Sequence, residues 1–427
     1  MKKALKITIV FCSFLISASV FGQTAAELLR EDPSRAANVD HSYEAPAVIF
    51  DTPAPEGYEA FYVSHYGRHG SRYHASGSYF KSINPIFDSL HVHGLLTELG
   101  ENLRNELLLL TAEEDGLDGI LTQKGSREHQ EISQRMFERI PEVFQQENRK
   151  EILAVSSPVQ RCIQSMANFS VQLKGNATQL HFSFYTGDRF LKYIAASSSS
   201  RGYSTTRARI SDSILVSKLN PEHFINSIIT NPAEGRKYFG RYTNDCQFAD
   251  AVFYAGGIGQ CFDIEDPNIF KYFTFDELYA LWWHDSAKWY DTFCHSVENG
   301  GSSDDTGRPI LKDIVDKADE ALLDTSDKAA DLRFGHDAGL AAFFSFAQFE
   351  GYEVVNVADS PNFWYGFDKM PMGSNVQFIF YKNADNDILV KILRNEKETS
   401  IPAVKTSVGP YYKWSDLREF FVSLIGE

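Results

Sequence analysis

The chain has 427 residues, 43% of them hydrophobic, and 57 acidic side chains outnumber 41 basic ones to give a formal charge of −16. The length exceeds what one simple core usually holds, so two domains or a domain with a large insertion are expected, and the acidic surplus argues against nucleic acid or an anionic membrane surface as partner. An anionic ligand must then be met by a local basic pocket.

Lys2, Lys3 and Lys6 flank the start of an apolar run over residues 7–21, which closes on Val20-Phe21-Gly22. A charged start, an apolar centre and a small-residue exit read as a signal peptide over residues 1–22. The run is too short to span a bilayer. Cys12 lies inside it without the small residues that precede a lipoprotein cut. The mature protein is therefore expected to be exported, periplasmic or extracellular, with no stable membrane insertion. Loss of the three lysines takes its formal charge from −16 to −19.

Residues 60–66, Ala-Phe-Tyr-Val-Ser-His-Tyr, form a bounded apolar, β-rich run that predicts a buried strand stopping at Gly67. Helical spacing follows over 95–110 and again over 122–140, where Thr122 offers an N-cap and Pro141 a stop. Residues 152–157 predict a second strand, and Pro158 opens a helix through Arg161, Ile163, Met166 and Phe169. Strand, helix, strand and helix in alternation predict an α/β fold with a mainly parallel sheet and flanking helices.

From 176 to 329 the pattern changes to helices broken by Ser- and Gly-rich stretches, which reads as an inserted, mostly helical cap. Strand character returns over 331–335 and ends at His336-Asp337. A helix follows over 338–349, and residues 376–381 and 388–393 predict a hairpin. The α/β domain thus spans 23–175 and 330–427. The aromatic run 279–290 is helically spaced and reads as core. His65, His129 and His284 have no ligand partners at metal spacing and read as structural.

The mature cysteines are Cys162, Cys246, Cys261 and Cys294, with no CxxC pair and no Cys/His cluster of zinc spacing. Cys246 and Cys261 enclose the Gly-rich stretch 254–260, read as a loop, and are the first candidates for a disulfide in an exported protein. Cys162 falls in an apolar helical pattern that predicts a buried free thiol.

Arg68-His69-Gly70-Ser71-Arg72 directly follows the first strand and sets an imidazole between two guanidinium groups, with a glycine that lets backbone approach a ligand. Arginines bind phosphoryl oxygens through paired hydrogen bonds, and an imidazole between them is placed to attack phosphorus. The flanking cations also lower the pKa of His69 and keep it neutral. A leaving alkoxide needs a proton, for which Asp337 is the candidate, although His-Asp before a helix is also an ordinary capping pair. Arg161, at the start of a helix after a strand, can point over the sheet's carboxyl edge or make a surface ion pair.

These residues resemble the signature of the histidine acid phosphatases. Leu121-Thr-Gln-Lys-Gly125 is similar to the family's LTxxG, Ser156-Ser-Pro-Val-Gln-Arg161 to its strand-to-helix segment with a phosphate-binding arginine, and His336-Asp337 to its HD pair, all in family order. Within that family, which includes phytases, Tyr73, residues 188–193, Phe363-Trp364 and residues 371–375 are most similar to the multiple inositol polyphosphate phosphatases. Two positions depart from that subgroup, which usually carries His-Ala-Glu at 336–338 and proline at His74. The resemblance implies a phosphomonoesterase acting through a phosphohistidine on His69. Asp337 would be its proton donor, and Arg68, Arg72, Arg161 and His336 would hold the phosphoryl group. It implies a small anionic phosphorylated substrate, no metal and no cofactor. Lys192 is the matching candidate for further substrate contact, within a basic stretch that includes Arg189, Arg201, Arg207 and Arg209. Sugar phosphates or other small monoesters are the alternative substrates.

Overall fold

The computed structural model describes residues 23–194, 205–264, 268–406 and 408–426. The expected signal peptide and Arg201 lie outside them, as do the side chains of Arg207 and Arg209.

Among the described residues, eight strands form one sheet: β1 (Glu59–Arg68), β2 (His- and Pro-free Glu151–Ser156), β3 (His181–Thr186), β4 (Lys328–Gly335), β5 (Asn375–Lys382), β6 (Ile388–Arg394), β7 (Lys397–Glu398) and β8 (Tyr411–Lys413). Their order is β3-β2-β4-β1-β5-β6-β7, with β8 pairing β6. The first four are parallel, and the hairpin of β5 and β6 joins β1 antiparallel. β1 is buried along all but its first residue. Phe61, Tyr62, Val63 and Tyr66 suit that position, because a central parallel strand is covered on both faces. The helices Gln123–Arg139 and Gln160–Asn176 cover one face through Ile132, Met136, Met166 and Phe169. Asp304–Ala321, Asp337–Phe346 and Trp414–Ile425 cover the other through Ile310, Ile314, Leu340, Phe343 and Phe421.

A separate apolar cluster joins Ser78–Val92 and Glu98–Glu114 to Asp245–Gly257 and Phe275–Phe293, with Phe87, Leu103 and Leu107 packed among Phe248, Phe253 and Trp282. Trp282 and Tyr290 are fully buried, so the aromatic run does serve as core. No helix among the described residues is long and apolar enough to cross a membrane.

The expected disulfide does not form: Cys162, Cys246, Cys261 and Cys294 are free thiols. The stretch read as a Gly-rich loop is the end of the helix Asp245–Gly257 and the turn Ile258–Cys261. Thirteen helical residues rise about 20 Å, which holds the two sulfurs apart. Gly256 is there for close packing, since a Cβ on it would lie 2.2 Å from the Ile269 side chain. Cys261 Sγ instead donates to the Asp40 carbonyl, and Cys162 is fully buried as expected.

The strand order positions the site. The chain leaves β1 for β2, two places away, and returns through β4 into the space between them. The carboxyl ends of β1, β2 and β4 therefore stand side by side, with Arg68 paired to Gly335 and Ser156 to Phe334. Open α/β sheets bind ligands in the crevice beyond such strand ends.

Candidate active site

Each of the three strand ends delivers part of one cluster. Arg68 is the last residue of β1 and has no solvent exposure. Its Nη1 donates to the carbonyls of Val39 and Met370, the latter at 2.7 Å, and its Nη2 lies 2.8 Å from Asp337 Oδ2 and 3.5 Å from Asp40 Oδ1. Burial of a charge this deep requires such pairing. Arg72 Nη2 lies 3.2 Å from the same Asp40 oxygen, and its Nη1 donates to the Tyr73 carbonyl.

His69 is buried between them, and its backbone N–H donates to the Gly335 carbonyl of β4. Its Nδ1 is 2.9 Å from the Gly70 carbonyl. A carbonyl can only accept, so this contact fixes the proton on Nδ1 and leaves the Nε2 lone pair as the nucleophilic one. Burial holds the imidazole well below its usual pKa, reinforced by Arg161, Arg68, Arg72 and His336.

Arg161 enters from the first turn of the helix after β2, with Nη1 3.4 Å from the Gly119 carbonyl and Nη2 3.5 Å from His336 Nδ1. Burial, then Arg72, push its guanidinium below the usual range, as expected where cations crowd together. His336 follows β4, with its ring centroid 5.6 Å from that of His69 and Nε2 2.9 Å from Ser157 Oγ. Because a guanidinium only donates, the Arg161 contact assigns the His336 proton to Nε2.

Asp337 starts the helix Asp337–Phe346 and accepts the Ala338 N–H on Oδ1 at 2.7 Å, while Oδ2 pairs with Arg68. Burial would raise its pKa, but Arg68, Arg72, His336 and the Ala338 amide outweigh it and hold the carboxyl below its usual value. Three guanidinium groups thus face two carboxylates around a neutral imidazole. The unbalanced positive charge and the buried, unbonded Nε atoms of Arg68, Arg72 and Arg161 suit a tetrahedral oxyanion.

The loop is held from beneath. Glu128, buried on the helix Gln123–Arg139, accepts from the Ser71 amide at 2.7 Å and the Ser71 hydroxyl at 2.6 Å. Thr122 caps that helix as expected, accepting from the Gly125 amide, and its hydroxyl also donates to the Ser71 carbonyl. A Cβ on Gly70 would lie 2.6 Å from the Gly125 carbonyl, and one on Gly125 would lie 2.2 Å from the Ser71 carbonyl. Gly70 therefore lets the loop lie against Gly125, and this close packing explains a glycine in each motif.

Arg68, His69, Arg72, Arg161, His336 and Asp337 come together. Lys192 does not touch them: its side chain is exposed, with Nζ 4.6 Å from the Tyr193 ring. Its segment does reach the site, since the Ile194 carbonyl accepts from Tyr66 Oη and lies 1.9 Å from where a Cβ on Gly335 would be. Sequence reasoning missed Asp40, Glu128 and Ser157. Glu128 had a signal, as a carboxylate among the inward positions Gly125, Ile132 and Met136 of one helix. Asp40 had none, because it lies in an irregular segment with no periodicity.

No protein-family model and no curated protein sequence matches the chain. Among solved structures it is similar to the multiple inositol polyphosphate phosphatase of Bifidobacterium longum. The complex of that protein with inositol hexasulfate gives a TM-score of 0.76 at 18% identity, over 90% of this chain and 97% of that one. Its complex with phosphate gives 0.76 at 18%, over 91% and 98%. The phytase from D. castellii gives 0.68 at 14%, over 92% of this chain and 85% of the phytase. At these identities the likeness establishes a shared fold.

Proposed function

We propose that this chain is an exported phosphomonoesterase of the histidine acid phosphatase kind, that it hydrolyses inositol polyphosphates such as phytate, and that His69 carries the phosphoryl group between two half-reactions. The observation that carries this reading is the neutral His69 imidazole, its lone pair on Nε2, among three guanidinium groups at one crevice. Its fold is that of proteins described as binding inositol hexasulfate and phosphate.

In the first half-reaction Nε2 attacks phosphorus and the bond to the alcohol oxygen breaks. Arg68, Arg72 and Arg161 hold the equatorial oxygens, whose charge grows in the transition state, and His336 joins them by turning its Nε2–H from Ser157 Oγ to an oxygen. Asp337 is the proton donor to the departing oxygen. It is ionised beside Arg68, but a bound phosphoryl group draws on the same guanidinium charge. That lifts the carboxyl pKa and lets it take up the proton it passes on. In the second half-reaction Asp337, now ionised, accepts a proton from the water that attacks phosphorus and releases His69. Lys192, exposed on the segment 188–194, is the candidate contact for a further phosphate of the substrate. The helices between β3 and Asp304–Ala321, rather than all of 176–329, act as the cap, because β3 pairs within the sheet and Asp304–Ala321 packs on its face as part of the α/β domain.

Phosphate release from phytate, a sugar phosphate and nitrophenyl phosphate, by the mature chain and by His69→Ala, tests the reading at acidic and neutral pH. Turnover of phytate, reduced at least about a thousandfold in the variant, is the expected result. Turnover of the sugar phosphate alone would move the substrate to small monoesters. No turnover of any would leave a phosphate-binding protein on this fold.

A further inference from the structure

Beside the catalytic loop lies a second cluster that the phosphatase chemistry does not use. Asp32, His41 and Glu44 each bring one donor atom to within 4.8 Å of the others. His41 is 2% exposed, Asp32 is half-buried and Glu44 is exposed.

The hydrogen bonds around His41 fix which nitrogen is available. Gln260 Nε2 is 3.0 Å from the Ser34 carbonyl and 3.2 Å from the Gly257 carbonyl, so this end of the amide must be the donor. Gln260 Oε1 is then an acceptor, taking the Ser42 N–H at 3.2 Å and His41 Nδ1 at 2.6 Å. His41 therefore keeps its proton on Nδ1 and turns Nε2 toward Glu44 and Asp32. A histidine metal ligand is oriented in this way, through a hydrogen bond from its other nitrogen.

His41 Nε2 is buried without a hydrogen-bond partner although Glu44 Oε1 is only 3.0 Å away. The contact with His41, helped by Arg35, holds the Glu44 carboxyl down to about 2, so the cluster already carries a carboxylate beside the imidazole. Two donor atoms held side by side at that spacing suit a common ion at about 2.0–2.2 Å from each. Arg35 pairs with Glu44 Oε2 at 3.1 Å, which leaves Oε1, and the Ser34 amide bonds Asp32 Oδ1, which leaves Oδ2. Asp32 and Gln260 also line a cavity of about 410 Å³, with Lys124 on its wall.

We propose that Asp32, His41 and Glu44 bind one divalent first-row transition-metal ion. An imidazole with two carboxylates is a donor set for such ions rather than for calcium or magnesium, which prefer oxygen alone. The ion would not enter catalysis. It would fasten the segment 32–44 from which Asp40 reaches Arg68 and Arg72, and so raise thermal stability with metal concentration. The competing state of the same cluster is a plain ion pair between a protonated His41 and Glu44.

Calorimetric titration of the tag-free mature protein with Zn²⁺, after exhaustive chelation and dialysis, tests the site. The expected result is saturable one-to-one binding with a Kd below about 10 µM, at least tenfold weaker in both Asp32→Asn and Glu44→Gln. Asparagine still caps the turn at 32, and position 44 is exposed, so both variants should keep the fold and their phosphate release in chelator. Absence of one-to-one binding below about 100 µM, or equal binding by wild type and both variants, would overturn the proposal and leave the ion pair. Loss of phosphate release in every variant tested elsewhere would bear on the phosphatase reading and not on this site.

Discussion

The role proposed for Asp337 is the most demanding of any single residue, because its carboxylate also pairs with Arg68 and bonds the helix amide of Ala338. Positioning and the proposed proton transfer separate by leaving group. Asp337→Asn should slow phosphoryl transfer from an alkyl phosphate about a hundredfold or more, the usual scale for a lost general acid. Transfer from nitrophenyl phosphate, whose leaving group needs no proton, should slow far less when the burst phase is followed. Equal loss of burst rate for both substrates would assign Asp337 to positioning Arg68 alone. The motif residues of this cluster were legible in the sequence because each follows a strand and carries chemistry in its own side chain. Asp40, which joins Arg68 to Arg72, was not, since nothing local marks an aspartate in an irregular segment as the partner of arginines about thirty residues away.

Elements were legible where periodicity and capping agreed, as for the helix capped by Thr122 and the hairpin of β5 and β6. They were misread where glycine served packing and not a turn. Gly256 and Gly257 end a helix that must pass close to Ile269 and Phe270, and reading them as a loop produced the wrong disulfide. The same use of glycine joins the helix Gln123–Arg139 to the Arg68–Arg72 loop. Gly125→Ala would place a Cβ 2.2 Å from the Ser71 carbonyl and 2.7 Å from the Ser71 amide, both backbone atoms that cannot swing aside. Denaturant unfolding should show a loss of about 1–3 kcal/mol, with kcat/KM down at least about tenfold as the Arg68–Arg72 loop shifts. Gly175→Ala, in a helix with nothing within 4 Å of the new methyl, is the control: it should leave activity unchanged and lose no stability, gaining up to about 1 kcal/mol. Unchanged activity in Gly125→Ala would mean that the loop does not depend on this contact.

For the molecule as a whole, the sequence made the sheet and its order of chemistry readable, while the long-range packing was not. The helices Ser78–Val92 and Glu98–Glu114 bury their apolar faces against helices more than a hundred residues later, a match that spacing within each cannot reveal. Burial beneath the candidate site also bears on acid stability. His65 and His129 are fully buried beside Phe334, and burial holds both down to about 3 from 6.5, helped at His65 by His129 and Arg333. Between those values the unfolded chain binds protons that the folded one refuses. The pair's contribution is therefore complete above pH 6.5, declines as pH falls toward 3 and is lost below it. His65→Gln and His129→Gln should flatten the fall in unfolding free energy across this window, and a fall as steep as in wild type would contradict the assignment. The central claim, that His69 itself becomes phosphorylated, is tested most directly by rapid quench of the mature protein turning over labelled substrate, followed by peptide mapping under conditions that spare phosphohistidine. The account predicts label on the peptide carrying His69, in wild type and in Asp337→Asn but not in His69→Ala; label on any other residue, or turnover in which no labelled enzyme accumulates even when hydrolysis of the intermediate is slowed, would contradict it.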